Sequence, residues 1–394
     1  MPHEFLIFGL TLAGVALFHR HALPIAATGL AAAVAFEWLF TQFPAGAGIT
    51  GLAAHLGHEW VTLVNLFLLL NGFALVARHF EESGLPAVLP RWLPDDWTGA
   101  FALLVIVFTM SAFLDNIAAA LIGGAMAHTL FRGRVGVGYV AAIVAASNAG
   151  GSGSVVGDTT TTMMWIQGIA PYEVLHAYIA AIIALVVFGI AAARRQQVFS
   201  PIVKDPDAGA GVDWLRLALT LFVLGAAIAV NVAVNLRLPA LADRFPFIGA
   251  TVALALIGTA WLRSPDWSVL PAALRGSLFL LCLVASASLM PVASLPEPSW
   301  LTAFGLGFVS AFFDNIPLTA LALEQGGYDW GMLAYAVGFG GSMLWFGSSA
   351  GVAICTLYPE ARSTGRWLRE GWLVAVAYVA GFSVLLLALG WRPA

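Results

Sequence analysis

The chain has 394 residues, 60% of them hydrophobic and only 10% charged, with a net charge of −4. A soluble domain carries about 25% charged residues, and no water-soluble fold of this size hides so much apolar surface. Sixteen of the seventeen basic residues are arginine and they form no basic tract, which excludes nucleic acid as a partner and leaves the lipid bilayer.

Apolar stretches of roughly 17–25 residues, the length a helix needs to cross about 30 Å of hydrocarbon, recur along the chain. The fold class is therefore an all-α polytopic membrane protein. In chain order, spans are expected near 5–18, 22–40 and 60–77. The first has His3 and Glu4 where a signal peptide would be basic, and reads as a retained span. A pair of short apolar arms follows at 98–113 and 117–131, then an interrupted segment over 135–168, broken by Asn148-Ala-Gly-Gly-Ser-Gly-Ser154, then a span near 174–193. Residues 194–212, polar and rich in Gly and Pro, are expected to form a cytoplasmic linker. Beyond it come spans near 213–233, 246–262 and 276–290, a second pair at 299–313 and 316–325, a second interrupted segment near 331–358 and a last span near 371–391.

The two halves repeat. Ser111-Ala-Phe-Leu-Asp115-Asn116-Ile117 matches Ser310-Ala-Phe-Phe-Asp314-Asn315-Ile316 at six of seven positions, and Gly150-Gly151-Ser152 with Gly157 matches Gly340-Gly341-Ser342 with Gly347. With both pairs read as hairpins and both interrupted segments as single crossings, fourteen of the seventeen basic residues fall in loops on one side: Arg20, Arg78, Arg91, Arg132, Arg134, Arg194, Arg195, Lys204, Arg216, Arg263, Arg275, Arg362, Arg366 and Arg369. Cytoplasmic loops accumulate Lys and Arg, so that side is the cytoplasm, both termini lie outside, and the membrane is the inner, cytoplasmic one. Each half then makes five crossings, ten in all. The second half, residues 213–394 with hairpin 299–325 and broken helix 331–358, is expected to be inverted relative to residues 1–193, with hairpin 98–131 and broken helix 135–168. A hairpin and two full crossings have the same parity, so the charge count does not separate them; the short arms favour hairpins.

Chemistry concentrates at the interruptions. Asp115-Asn116 and Asp314-Asn315 lie between apolar arms, where a carboxylate is costly and marks function; the plainer role is a cap on the second arm. Gly157-Asp158-Thr159-Thr160-Thr161-Thr162 and its counterpart Gly347-Ser348-Ser349-Ala350-Gly351 supply hydroxyls together with carbonyls freed by the break, although Thr hydroxyls also bond back to their own turn. With Asn148 and Ser342 these residues make the candidate ion and proton site, and Asp115, Asp158 and Asp314 the candidate sodium ligands. No Lys or Arg in the same segments neutralises the carboxylates, which argues for a cationic ligand. Burial favours the protonated carboxyl and a bound cation the ionised one, so a proton and a metal ion compete for one group, which suffices for antiport.

Other signals are weaker. His55-Leu-Gly-His58-Glu59 could bind a metal but has no third ligand and is expected in a loop. Cys282 and Cys355 stand alone in apolar runs and read as small hydrophobes. The fourteen tryptophans, many near span ends such as Trp38, Trp60, Trp97, Trp214 and Trp300, fit an interfacial belt. No P-loop, GxSxG or HExxH appears, so no ATP-driven pump and no enzyme is expected, and no cofactor beyond the carried ions.

Asn148-Ala-Gly-Gly, Gly157-Asp158-Thr-Thr-Thr-Thr-Met-Met-Trp165, Asp314-Asn315-Ile-Pro317 and Gly340-Gly-Ser-Met-Leu with Gly347-Ser-Ser-Ala-Gly351 resemble the ion transporter superfamily that holds NhaD-type sodium/proton antiporters, arsenite carriers and dicarboxylate or citrate carriers, the NhaD branch most of all. The resemblance covers roughly residues 60–360. It implies two re-entrant hairpins, two unwound helices, an elevator-like transport domain, a homodimer, and exchange of sodium or lithium for protons. The chain departs from the pattern at Ile117-Ala118-Ala119-Ala120, where related hairpins usually carry threonines. An anion carrier, with half-helix N-termini holding an oxyanion or carboxylate, is the alternative; a non-transporting scaffold would not need intramembrane Asp-Asn pairs in both halves.

Overall fold

The computed structural model describes residues 2–18, 21–203, 211–237, 241 and 244–393. Arg20 and Lys204, both assigned to the cytoplasmic side, and residues 204–210 of the expected linker lie outside the described residues. Those described are helical throughout, without a strand. The helices that matter below are α1 (His3–Leu17), α2 (Ala22–Phe40), α3 (Gly48–Glu82), α4 (Trp97–Ser111), α5 (Asn116–Leu130), α6 (Val137–Gly151), α7 (Thr159–Ile166) and α8 (Ala177–Phe199), then α9 (Trp214–Arg237), α10 (Phe247–Thr259), α11 (Leu270–Ala287), α12 (Trp300–Ser310), α13 (Asn315–Gln325), α14 (Trp330–Gly340), α15 (Ser349–Leu357), α16 (Thr364–Gly371) and α17 (Leu373–Leu389).

Among the described residues five helices, α2, α3, α8, α9 and α11 with their flanking turns, are long and apolar enough to cross a membrane, and α16 with α17, bent by 55°, makes a sixth. The other expected crossings are α1 and α10, apolar but shorter, and the two interrupted segments α6–α7 and α14–α15, whose pieces are too short to qualify singly. The protein is a multi-pass α-helical membrane protein.

Element boundaries differ from expectation at α11, which starts at Leu270 and not near 276, and at two further places. Helix α3 starts at Gly48, not near 60, so His55, His58 and Glu59 lie on a helix and not in a loop; the low hydropathy of residues 48–59 hid this, and His55 is buried with its Nε2 3.0 Å from Ser288 Oγ. Helix α8 continues to Phe199, six residues into the expected linker. Gln196 there is buried, its side chain accepting from Gly136 N at 2.8 Å and donating to Arg134 O at 2.9 Å.

The helices pack as two groups. Helices α1, α2, α3, α9, α10 and α11 lie against one another, and α4 to α8 with α12 to α17 form the other, larger group. At the centre of the latter stand α6 and α14. Both are apolar on all sides, and every residue of α14, and all but Gly138 of α6, is buried, as expected of helices surrounded by protein. Tyr139 Oη donates to Ala100 O at 2.6 Å and ties α6 to α4.

Both central helices end where a glycine meets another helix's main chain. A methyl group on Gly150 would overlap the main-chain oxygen of Phe108, and one on Gly340 would overlap that of Gly307; Phe108 and Gly307 each stand three residues before the repeated motif. Gly150→Ala is therefore expected to cost about 1–3 kcal/mol, the usual range for overpacking, read as a lower thermal midpoint. Gly225→Ala, where an added methyl meets nothing within 4 Å, serves as the control.

Arginines assigned to one side meet in one network. Arg78 reaches Glu81 and Asp266, each at 3.0 Å, Arg216 pairs with Glu82, and Arg263 binds Asp213 at 2.9 Å. Hydrogen bonding from Arg263 holds the Asp213 carboxyl below its ordinary value, and bonding from Ser268, with Arg78 adding, does the same for Asp266. Carboxyls lowered on folding add stability above the unfolded value of about 3.9 and lose it as pH falls through the lower folded value. Acid titration of the thermal midpoint below about pH 4 should thus fall less steeply in Asp213→Asn than in the parent chain.

Candidate functional site

The site is built from two helix starts and two breaks. Asp115 precedes α5 and accepts from Ile117 N at 3.2 Å; Asp158 precedes α7 and accepts from Thr160 N at 3.2 Å; Ser348 precedes α15 and accepts from Gly351 N at 3.2 Å. These short polar residues end one backbone direction and start another, since their side chains replace the missing donors' partners at a helix start. Asp314, before α13, makes no such bond; its Oδ2 accepts from Ser349 Oγ at 2.6 Å.

Bonds between the halves hold the breaks together. Asn148, wholly buried at the end of α6, donates through Nδ2 to Ser342 Oγ at 2.9 Å and Ser348 Oγ at 3.1 Å, while its Oδ1 accepts from Asn116 Nδ2 at 3.1 Å. Asn315 Nδ2 lies 3.3 Å from each oxygen of Asp158. By the spacing of the repeat, Asp158 corresponds to Ser348 and Asn148 to Gly338. In the structure Asn148 Nδ2 donates to Ser348 Oγ, and a Cβ on Gly338 would come within 3.1 Å of Asp158 Oδ2. Asp158 of the first half thus meets a glycine of the second, whereas Ser348 of the second half meets an asparagine of the first.

A cavity of about 400 Å³ opens between the two helix groups. Asp115, Asn116, Asp158, Thr159, Asp314, Asn315 and Ser349 line it on one side. Opposite them stand Leu66, Leu70 and Phe73 of α3 and Gly276, Ser277 and Leu280 of α11, and the cavity reaches Arg78 and Glu81 at the end of α3. From Leu66 to Arg78 the helix rises about 18 Å, and Arg78 is occupied by its carboxylate partners, so no free cationic side chain of the described residues faces the aspartates. Asp314 Oδ1 and Thr160 Oγ1 are buried without a hydrogen-bond partner.

Of the residues expected in the site, the cavity gathers the three aspartates, Asn116, Thr159, Asn315 and Ser349. Asn148, Ser342 and Ser348 form the polar layer behind them. Thr160 does not line the cavity, and Thr161 Oγ1 donates to Ser154 O at 2.5 Å and Asp158 O at 3.0 Å, spending its hydroxyl on carbonyls of the break. Among the described residues no three His, Cys, Asp or Glu side chains are close enough to hold a metal ion by themselves; a cation among the aspartates would take oxygens from amides, hydroxyls or main chain as well. The α3 and α11 walls, including Ser277, were not expected. They belong to apolar spans with no motif, and only their packing against the breaks marks them.

No family model matches the chain. It is 27% identical to sodium/proton antiporter 1 of Arabidopsis thaliana, over 88% of this chain and 66% of that one, and 26% identical to the Na(+)/H(+) antiporters NhaD of Vibrio parahaemolyticus and Alkalimonas amylolytica, over 76% and 84% of this chain and 84% and 78% of theirs. The chain is thus similar to sodium/proton antiporters, two of the NhaD type among them. It spans just under two thirds of the Arabidopsis protein's length, but the greater part of each bacterial relative.

Gly338 gives a local test of the asymmetry. Gly338→Ala would fill the space beside Asp158 Oδ2 with a methyl group and is expected to weaken binding of any ion at that oxygen several-fold, with the thermal midpoint little changed. Ion-dependent stabilisation of the purified variant measures both.

Proposed function

We propose that this chain is a secondary active transporter that exchanges sodium or lithium for protons across the cytoplasmic membrane. The observation that carries the reading is the convergence of three aspartates, drawn from both halves of the chain, on one cavity whose single lining arginine is bound elsewhere. The relatives, each named a sodium/proton antiporter, support it. The halves are inserted in opposite orientations, the two helix pairs are re-entrant hairpins, and the broken-helix group moves against the α3–α9–α10–α11 group in an elevator-like way. The packing of the helices as two groups with the cavity between them supports that motion.

The anion-carrier reading needs helix N-termini open to a negative group. Here the starts of α5 and α7 are already occupied by their own carboxylates, which favours a cation.

The test is proton movement in proteoliposomes with a trapped pH dye. Sodium or lithium added outside should dissipate a preformed proton gradient, and citrate or arsenite should not. Dissipation by an anion alone would replace this reading with the other. Competition at one carboxyl gives a second expectation: where protons occupy the group, the apparent KM for sodium should rise about tenfold per pH unit for each proton displaced.

A further inference from the structure

At the arginine-rich end of the larger helix group lies a second cavity, of about 660 Å³, between the start of α6, the end of α8 and the short helix α16. Four arginines line it, Arg134, Arg195, Arg366 and Arg369, against two glutamates, Glu360 and Glu370. Glu370 is shared, 3.3 Å from Arg366 and 3.7 Å from Arg369. Arg195 reaches only the Glu370 main-chain oxygen, at 3.5 Å, and Arg134 lies 5.7 Å from the centre of the Phe199 ring. Among the described residues neither has a carboxylate partner, so two guanidinium charges face the cavity unpaired.

The position of the pocket fixes what can fill it. Arg195 ends α8 and Glu370 precedes α17, and these two helices pack along their length. Elsewhere along their length the two helices carry exposed apolar side chains, Ile182 and Val186 on α8 and Val376 and Val379 on α17, while the exposed Phe199 lines the pocket itself and Trp372 stands at the start of α17. The α16–α17 bend of 55° lays α16 across the end of the span. A pocket of four arginines at the end of apolar membrane-crossing helices, with the exposed aromatic Phe199 in its wall, has the parts that meet an anionic headgroup at the membrane interface.

We propose that this pocket binds the phosphate headgroup of an anionic phospholipid in the leaflet on the arginine-rich side, with Arg134 and Arg195 as its principal contacts. Because Gly138 and Tyr139 of α6, with Gly136 just before it, also line the pocket, a bound lipid clasps the helix that carries Asn148 to its neighbours. This goes beyond the transport reading and does not depend on which ion is carried.

The experiment is titration of the purified chain in neutral detergent with phosphatidylglycerol or cardiolipin, following the thermal midpoint, with phosphatidylcholine and inorganic phosphate as separate arms. The anionic lipids should raise the midpoint and the other two should not. Each basic residue near an anionic surface contributes on the order of fivefold in affinity, so Arg134→Gln/Arg195→Gln should need about 25-fold more lipid, and the charge-matched Arg237→Gln/Arg275→Gln should behave as the parent. Glu370→Gln, which frees Arg366 and Arg369, should need less lipid, and tests the pocket even if the double variant fails to fold. Equal stabilisation by phosphatidylcholine or by phosphate alone, or indifference of both pocket variants, would overturn the proposal.

Discussion

Asp158→Asn is expected to abolish sodium-driven proton movement while leaving the fold intact. The asparagine keeps the shape and an oxygen to accept from Thr160 N, so the start of α7 survives. What it loses is the charge that lies within 3.3 Å of Asn315 Nδ2 and beside Gly338. Removing one partner of a buried charged pair costs about 3–5 kcal/mol, which at about 1.4 kcal/mol per tenfold is on the order of 10²–10⁴ in cation affinity. Asp314→Asn should act in the same direction, with Oδ1 of Asp314 already unpartnered and Oδ2 held by Ser349. The measurement is the proteoliposome assay beside the thermal midpoint of the same preparation. A variant that folds, keeps the parent's sodium affinity and still moves protons on sodium addition would remove Asp158 from the site.

How much of this was legible in the chain itself depends on the range of the forces involved. The paired arms, the two breaks and the polar segments after them were readable because each is local: an Asp-Asn between apolar arms, or a glycine run ending an apolar helix, declares itself within a dozen residues. The start of α3 was not, because Gly48, Gly51, His55, Gly57 and His58 lower the hydropathy of a stretch whose helicity depends on tertiary partners such as Ser288. The role of Thr161 was undecided for the opposite reason. A threonine after a break has two uses for its hydroxyl, and the carbonyls of Ser154 and Asp158 claim it here only because the turn folds back over α7. The wiring of Asn148 was out of reach, since Ser342 and Ser348 lie 194 and 200 residues away and nothing in the motif says that the two breaks touch.

That wiring underlies the second large effect. Asn148→Leu would fill the site with a side chain of similar size and remove the bonds to Asn116 Nδ2, Ser342 Oγ and Ser348 Oγ; Ser348 Oγ keeps Gly351 N and Asn116 borders the cavity, but the buried Ser342 Oγ is left without a partner. Three buried hydrogen bonds lost at about 0.5–1.5 kcal/mol each, with one buried hydroxyl left unsatisfied at about 1–3 kcal/mol, bring the loss to several kcal/mol, a large part of the 5–15 kcal/mol that holds a typical folded protein together. The thermal midpoint should fall by more than for Gly150→Ala, Asp158→Asn or Asp314→Asn, and transport should fall with it. Asn148→Ser separates stability from function, because a hydroxyl satisfies some of the partners without spanning all three. It should recover part of the midpoint but leave transport impaired, since Ser348 and Asn116 would no longer be tied through one side chain and the two breaks could shift apart. Full transport in Asn148→Ser would mean that the polar layer only fills space, and that the aspartates are positioned by the packing of α6 and α14 alone.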